Sequence, residues 1–397
     1  MNIAPGSTPI LVSNVEAYAP ERIGRTSILL FGGKMVVVDP ALDPGRVFEL
    51  ARSLGLEIET IDGSGLRAIP GLVDPHEHLS GGSGEDGFST QTPAVSLSEL
   101  IAGGITTVVG CVGVDTHCQN LPNLFGKAKA LREEGITAFL YTGGYDVPPR
   151  TLTGDVRTDL IFVEEVIGAG ETAISDFRST QPTDVELARL VAAARTGGLL
   201  TRKAGVTHFH VGDEKRGLAP LRRLLDEHDI APECLYPTHV ERKPALLREA
   251  AELTRRGVTV DIDTYEEALA ADLRAFVGAG GDLGFLTLSS DASIKAPRTL
   301  FEQVRACIRG GVFPPETLLS LVTTNPARVL KLGAKGRIAK GADADLLLVD
   351  DGWEIRTVIA SGRILMRDRK IIVRPRYFRD SNRFDRADLD AGFRLRV

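Results

Sequence analysis

Residues 70–78 read Pro70-Gly71-Leu72-Val73-Asp74-Pro75-His76-Glu77-His78, an apolar strand that runs into two histidines two residues apart. In an extended chain, residues two apart point to the same side, so both imidazoles can reach one ion. An apolar run closed by a metal-type side chain then recurs. Val206-Thr207-His208-Phe209 ends at His210, Tyr236-Pro237-Thr238 at His239, and Thr287-Leu288-Ser289-Ser290 at Asp291. Apolar runs suited to buried strands fall at 68–73, 105–111, 137–141, 166–174, 206–209, 234–237, 258–262 and 285–288. Between them, stretches such as 184–195, 218–227, 244–255 and 266–277 carry a helical period. Alternation of this kind predicts an α/β protein built on a (β/α)8, TIM-like barrel.

The two ends of the chain read differently. Residues 28–31 and 35–38, joined by Gly32-Gly33, predict a tight hairpin. Residues 343–350 predict a buried strand, and 356–360 followed by Ser361-Gly362-Arg363 a second hairpin. The termini are therefore expected to meet in a small β-sandwich domain. The boundaries expected are 1–66 and 333–397 for the two parts of that domain and 67–332 for the barrel.

Composition narrows the function. With 397 residues, 43% hydrophobic and 25% charged, the chain is expected to be a soluble globular protein with one large and one smaller domain. Forty-seven Lys and Arg against 53 Asp and Glu leave a net charge of −6, which argues against a nucleic-acid partner. No apolar run is long enough to span a membrane. No basic residue precedes Arg22, so no signal peptide is expected. Cys111, Cys118, Cys234 and Cys307 do not suggest a disulfide framework, and a cytoplasmic location is expected. The arginine-rich tail from Arg374 is interrupted by aspartates and is expected to be solvated rather than to bind an acidic partner.

A lone histidine is most often a surface or satisfied core residue. His76, His78, His210, His239 and Asp291 all fall at the C-terminal ends of strands, the face where barrel enzymes build active sites. His117 and His228 are expected to be structural or solvated, and His208 to face away from the barrel axis. Four imidazoles and a carboxylate are too many for one tetrahedral zinc with an open position, so two divalent ions are expected, zinc by donor type. Glu171, inside the apolar run 166–174, suits a bridge between them, because a buried acid is costly unless paired or metal-bound. Two ions lower the pKa of a water and polarise an amide carbonyl, which points to metal-dependent hydrolysis of a small molecule. The glycines from Gly81 to Gly87 are not a dinucleotide loop, since residues 88–93 do not open a helix, and a flexible active-site loop is expected.

The run PGLVDPHEHLSGGSGEDG, the strand-end histidines, the SSD that ends at Asp291 and the closing TTNPARVLKLGAKGRIAKGADADLLLVD resemble the amidohydrolase superfamily. Further runs resemble its bacterial isoaspartyl (β-aspartyl) dipeptidase family: Gly143-Gly144-Tyr145, Ile174 to Ser179, Phe209 to Asp213 and Pro237 to Arg242. The resemblance spans roughly residues 65–370. It implies that His76 and His78 hold one zinc with Asp291, while His210 and His239 hold the other. It implies that Asp291 passes a proton from the attacking water to the leaving amine and that Tyr145 donates to the oxyanion. Glu85 would grip the substrate's α-amino group, Arg178 and Arg242 its carboxylate, and Ser83 and Ser293 would contact it further. The implied reaction is cleavage of the isopeptide bond of β-aspartyl dipeptides by a homo-oligomer. The alternatives are an N-acyl amino acid deacylase, a cyclic-amide hydrolase, or a non-catalytic metal-bearing scaffold. Glu171 stands where the family carries a carboxylated lysine, Ser83 where glycine is usual and Val114 where threonine is usual, and the segment after Asp291 is short.

Overall fold

The structure is a computed structural model and describes residues 8–375. Of the arginine-rich tail, only Arg374 and Pro375 lie among the described residues.

Eight parallel strands alternate with helices in the predicted order. The first six are Leu72–Glu77, Ile105–Gly110, Thr137–Thr142, Val166–Ile174, Val206–Val211 and Leu235–Thr238, and they form one parallel sheet in chain order. The seventh and eighth core strands, Val260–Asp263 and Leu286–Ser289, pair in parallel as a second sheet. The expected eight-stranded ladder is therefore hydrogen-bonded as six strands plus two. The sheets approach at both edges. Glu77 bridges Ala292 in parallel, and the Thr238 hydroxyl donates to Asp261 at 2.8 Å.

Alternation along the strands separates two apolar layers. Phe209 and Val211 pack with Leu187, Leu190 and Val191 of the helix Asp184–Thr201. Val206, Tyr141 and Tyr236 belong to a separate cluster on the other face of the six-stranded sheet. The helix starts after Thr183, whose hydroxyl accepts from the Glu186 amide while the Glu186 carboxylate accepts from the Thr183 amide. Such a capping box is worth about 1 kcal/mol. It fixes where the helix leaves the loop that follows the fourth core strand.

The chain termini share a nine-stranded mixed sheet rather than two separately hydrogen-bonded layers. Arg67–Pro70 joins the halves, parallel to Ile10–Tyr18 on one side and antiparallel to Leu346–Val349 on the other. The single strand expected over 68–73 is thus two strands, with Ala68 and Ile69 in the terminal sheet and Leu72 onward in the core. Gly71 makes the handover possible. A Cβ there would sit 2.2 Å from the Thr106 hydroxyl, so only glycine lets the second core strand approach.

Candidate functional site

All the candidate ligands but Glu171 sit at or near the end of a strand. His76 is the penultimate residue of the first core strand and His78 follows it, His210 is the penultimate residue of the fifth, His239 and Asp291 follow the sixth and eighth, and Glu171 lies inside the fourth. His239 (φ 62°) and Asp291 (φ 46°) occupy the left-handed region, which turns the chain sharply off the strand. Backbone of this kind costs on the order of 1–3 kcal/mol and clusters at functional sites.

The six side chains converge. Glu171 Oε1 lies 2.6 Å from His210 Nδ1 and 3.2 Å from His239 Nε2. Its other oxygen, Oε2, lies 3.5 Å from His76 Nε2 and 3.6 Å from His78 Nε2. Asp291 Oδ1 faces the same pair, 3.3 Å from each Nε2. One carboxylate thus divides its oxygens between two histidine pairs, and a second caps one of the pairs. Gly170 permits this approach of strands four and five, since a Cβ there would meet the His208 carbonyl at 2.6 Å.

Three atoms at the centre, His76 Nε2, Glu171 Oε2 and Asp291 Oδ1, are buried and have no hydrogen-bond partner among the described residues. Buried polar groups are rarely left unpaired, and orphans that face one another across 3.3–3.5 Å suit a cation held among them. The donor set of imidazole nitrogens and carboxylate oxygens fits divalent zinc. Burial pushes the Glu171 carboxyl up, but the imidazoles of His76 and His210 outweigh it and hold the group well below the usual carboxylate range. Burial raises Asp291 too, and the imidazoles of His76 and His78 beside it carry it well below. Both acids are anionic at neutral pH, as ligands must be.

The distal ring nitrogens are also held. Asp176 Oδ2 accepts from His210 Nε2 at 3.0 Å, and Asp263 Oδ2 accepts from His239 Nδ1 at 2.5 Å. His76 Nδ1 lies 2.7 Å from His208 Nε2. His208 therefore faces inward, beneath the cluster, and not away from it. Residues two apart in a strand share a side, so His208 follows His210 to the interior. Burial and the charge of His76 hold His208 well below the ordinary imidazole value. His117 is exposed, as expected, and His228 partly so.

Above the cluster opens a cleft with about 740 Å³ of empty space. Its walls carry Ser83, Glu85, Tyr145, Arg178, Arg242 and Ser293, so every expected substrate contact borders one space. The Tyr145 hydroxyl lies 2.8 Å from His210 Nδ1, beside the metal-type cluster. Arg178 is neutralised by a bidentate pair with Asp176 and by Glu85 at 2.9 Å. Arg242 makes no salt bridge among the described residues. Its Nη1 reaches only His210 Nε2, at 3.4 Å. The Gly81–Gly87 loop leads into a three-residue 3-10 turn, Phe88–Thr90, and not a phosphate-binding helix.

A model of the amidohydrolase family matches residues 67–365. The chain belongs to the amidohydrolase family. Among solved structures it resembles the β-aspartyl dipeptidase of Fervidobacterium islandicum AW-1, with 39% identity, a TM-score of 0.86, and coverage of 92% of this chain and 99% of that one. A second structure of that enzyme holds the dipeptide β-Asp-Leu. Among curated proteins it is 26% identical over 381 residues to adenine deaminase 2 of Agrobacterium fabrum. That match covers 88% of this chain, which spans only 58% of the relative's length.

Within this amidohydrolase, sequence reasoning did not assign Asp176, Asp263 or His208 a role. A signal existed for Asp263, which sits two residues after Asp261 at the end of the seventh core strand, the register that His76 and His78 share at the first. For Asp176, two residues past the fourth strand, the sequence offered only its place in the run that carries Arg178.

Proposed function

We propose that the chain is a two-metal amidohydrolase that cleaves the isopeptide bond of β-aspartyl dipeptides. The observation that carries the hydrolase reading is Glu171, with one oxygen toward His210 and His239 and the other toward His76 and His78. On this reading His76, His78 and Asp291 would hold one zinc ion and His210 and His239 a second, with the Glu171 carboxylate available to both histidine pairs. The six- and two-stranded sheets are read as one (β/α)8 barrel over 67–332, closed through Glu77 and Ala292. The dipeptide is supported by the 39% identity to a β-aspartyl dipeptidase along 99% of its length and by the charge pattern of the cleft.

Bound zinc ions would supply Lewis-acid polarisation of the scissile carbonyl and a water acidified toward neutrality. The chain's own residues do the rest. Asp291 accepts the proton of the attacking water and delivers it to the amine as the C–N bond breaks. The Tyr145 hydroxyl donates to the carbonyl oxygen as negative charge develops there. Arg242, which makes no salt bridge among the described residues, receives the substrate carboxylate, and a planar fork suits that task. Glu85 holds the α-ammonium, with Arg178 set beside it by Asp176. The Ser83 and Ser293 hydroxyls line the same space.

A second reading, hydrolysis of a ring amide or amidine, is favoured by the similarity to adenine deaminase 2. A purine offers neither ammonium to Glu85 nor carboxylate to Arg242, so the dipeptide fits the cleft better. Zinc-loaded protein is expected to release leucine from β-Asp-Leu and no ammonia from adenine. Absence of leucine release, with ammonia release instead, replaces the first reading by the second.

A further inference from the structure

Beneath the metal-type cluster, the His208 ring is flanked by two tyrosine rings, an arrangement that no ligand role accounts for. The His208 ring lies between Tyr141, nearly parallel at 22° with centroids 4.8 Å apart, and Tyr236, 4.7 Å away. Both tyrosines are anchored, Tyr141 by donating to the Pro75 carbonyl at 3.0 Å and Tyr236 through the Thr287 hydroxyl at 2.7 Å. All three side chains are fully buried. Of the seven histidines, His208 alone has its two ring nitrogens committed to a backbone carbonyl and to another imidazole.

The carbonyl settles where the protons are. His208 Nδ1 lies 2.9 Å from the Tyr236 carbonyl, which can only accept, so Nδ1 carries the hydrogen. A neutral His208 then has a bare Nε2. That lone pair lies 2.7 Å from His76 Nδ1, which must donate to it. With its Nδ1 hydrogen so engaged, His76 presents Nε2 as a lone pair once it is neutral, as a metal ligand must be, and Nε2 is the atom that faces Glu171 and Asp291 at 3.5 and 3.3 Å. Rotating the His208 ring by half a turn would put carbon atoms against both partners, so the arrangement has one hydrogen-bonded orientation.

We propose that His208 is a positioning residue that relays the Tyr236 carbonyl to His76 and sets the tautomer in which His76 can bind metal. Its place matches those of Asp176 and Asp263, which hold the distal nitrogens of His210 and His239, but an imidazole replaces the carboxylate. A neutral acceptor holds the ring without adding a further negative charge under Glu171 and Asp291. Partners of this kind orient ligating histidines, and losing one costs roughly 10–100-fold in metal affinity. The inference rests on the metal-centre reading above and is independent of the substrate.

The test compares wild type, His208→Leu and His208→Gln for zinc affinity by chelator competition, with folding checked by circular dichroism and thermal melting. His208→Leu fills much of the space and removes the acceptor, and it is expected to weaken zinc binding about 10–100-fold. His208→Gln keeps an acceptor oxygen at the end of the side chain and is expected to recover most of that loss. Nitrogen-15 spectra of histidine-labelled, metal-free protein should show His208 as the neutral Nδ1–H tautomer. A hydrogen on Nε2, or equal zinc affinity in wild type and His208→Leu, overturns the relay. If His208→Leu fails to fold, the spectra and the Gln variant decide alone, and a Gln variant as weak as a His76→Ala control overturns it. A wild-type chain that binds no zinc overturns the metal centre itself.

Discussion

Asp263 Oδ2 lies 2.5 Å from His239 Nδ1, which fixes the ring so that Nε2 points at Glu171, 3.2 Å away. Burial pushes the Asp263 carboxyl up, but His239 outweighs it and keeps the group below its usual value, so the contact is a charged acceptor on an imidazole donor. Asp263→Asn keeps the shape and removes the charge. Zinc affinity is expected to fall about 10–100-fold, with the secondary structure unchanged. Chelator competition measures this, and an affinity within about 2-fold of wild type would show that Asp263 serves packing alone.

Glu171 is predicted to decide how many ions the site retains. Its two oxygens face separate histidine pairs, and glutamine replaces one oxygen with an amide that cannot ligate as an anion. Glu171→Gln is expected to lower bound zinc from two ions per chain to one or fewer and to reduce kcat at least about 100-fold. Elemental analysis after dialysis reads the first effect. Two zinc ions retained by the variant would remove the bridging role.

Much of this was legible in the sequence, for identifiable reasons. Strand-end histidines stand out because a parallel sheet fed by helices brings successive C-terminal ends to one face. Glu171 stands out because nothing else charged occurs between Val166 and Ile174. The failures have causes as definite. The run 68–73 is continuously apolar, so nothing in its hydrophobicity marks Gly71 as the point where the chain passes from one sheet to the other. His208 was expected outside although it shares strand parity with His210, a case where the two-residue repeat itself gives the right answer. Asp263 left a trace in its register with Asp261, whereas Asp176 depends on which ring nitrogen of His210 faces Glu171, and ring orientation leaves no trace in spacing.

The cleft's charges give a prediction about substrate. Arg178 already satisfies Asp176 and Glu85, whereas Arg242 has no acid partner among the described residues. A substrate carboxylate therefore gains more from Arg242. Arg242→Ala is expected to lower kcat/KM for β-Asp-Leu by about 10–100-fold, the loss of a hydrogen bond to a charged group, mostly through KM. Glu85→Gln should lower it by a similar factor for the dipeptide but leave an N-acetyl amino acid, which has no ammonium, nearly unaffected. Steady-state kinetics with both substrates separates the cases. Equal loss on both would mean that Glu85 acts by shaping its loop, through Ser83 and Arg178, rather than by binding ammonium.

Asp261 is predicted to make stability depend on pH. It is buried between the two sheets, accepting from Thr287 at 2.5 Å, Ser289 at 2.6 Å and Thr238 at 2.8 Å, and makes no salt bridge among the described residues. Burial pushes its carboxyl up to about 6, and the three hydroxyls only partly oppose the shift. Because the folded value lies above that of an unfolded aspartate, about 3.9, its stabilising contribution is complete below that pH and is lost as pH rises through about 6. A shift of about 2 units corresponds to roughly 3 kcal/mol for a fully buried group. Asparagine cannot ionise, and hydroxyls can turn to accept from its amide. Asp261→Asn is therefore expected to be no more stable than wild type at pH 4.5 and to gain on it steadily up to pH 7, by as much as about 3 kcal/mol. Urea unfolding of the metal-free protein at several pH values measures the difference. A wild-type-to-variant gap that does not change with pH would mean that the carboxyl stays ionised throughout, and that the hydroxyl ring alone replaces its hydration.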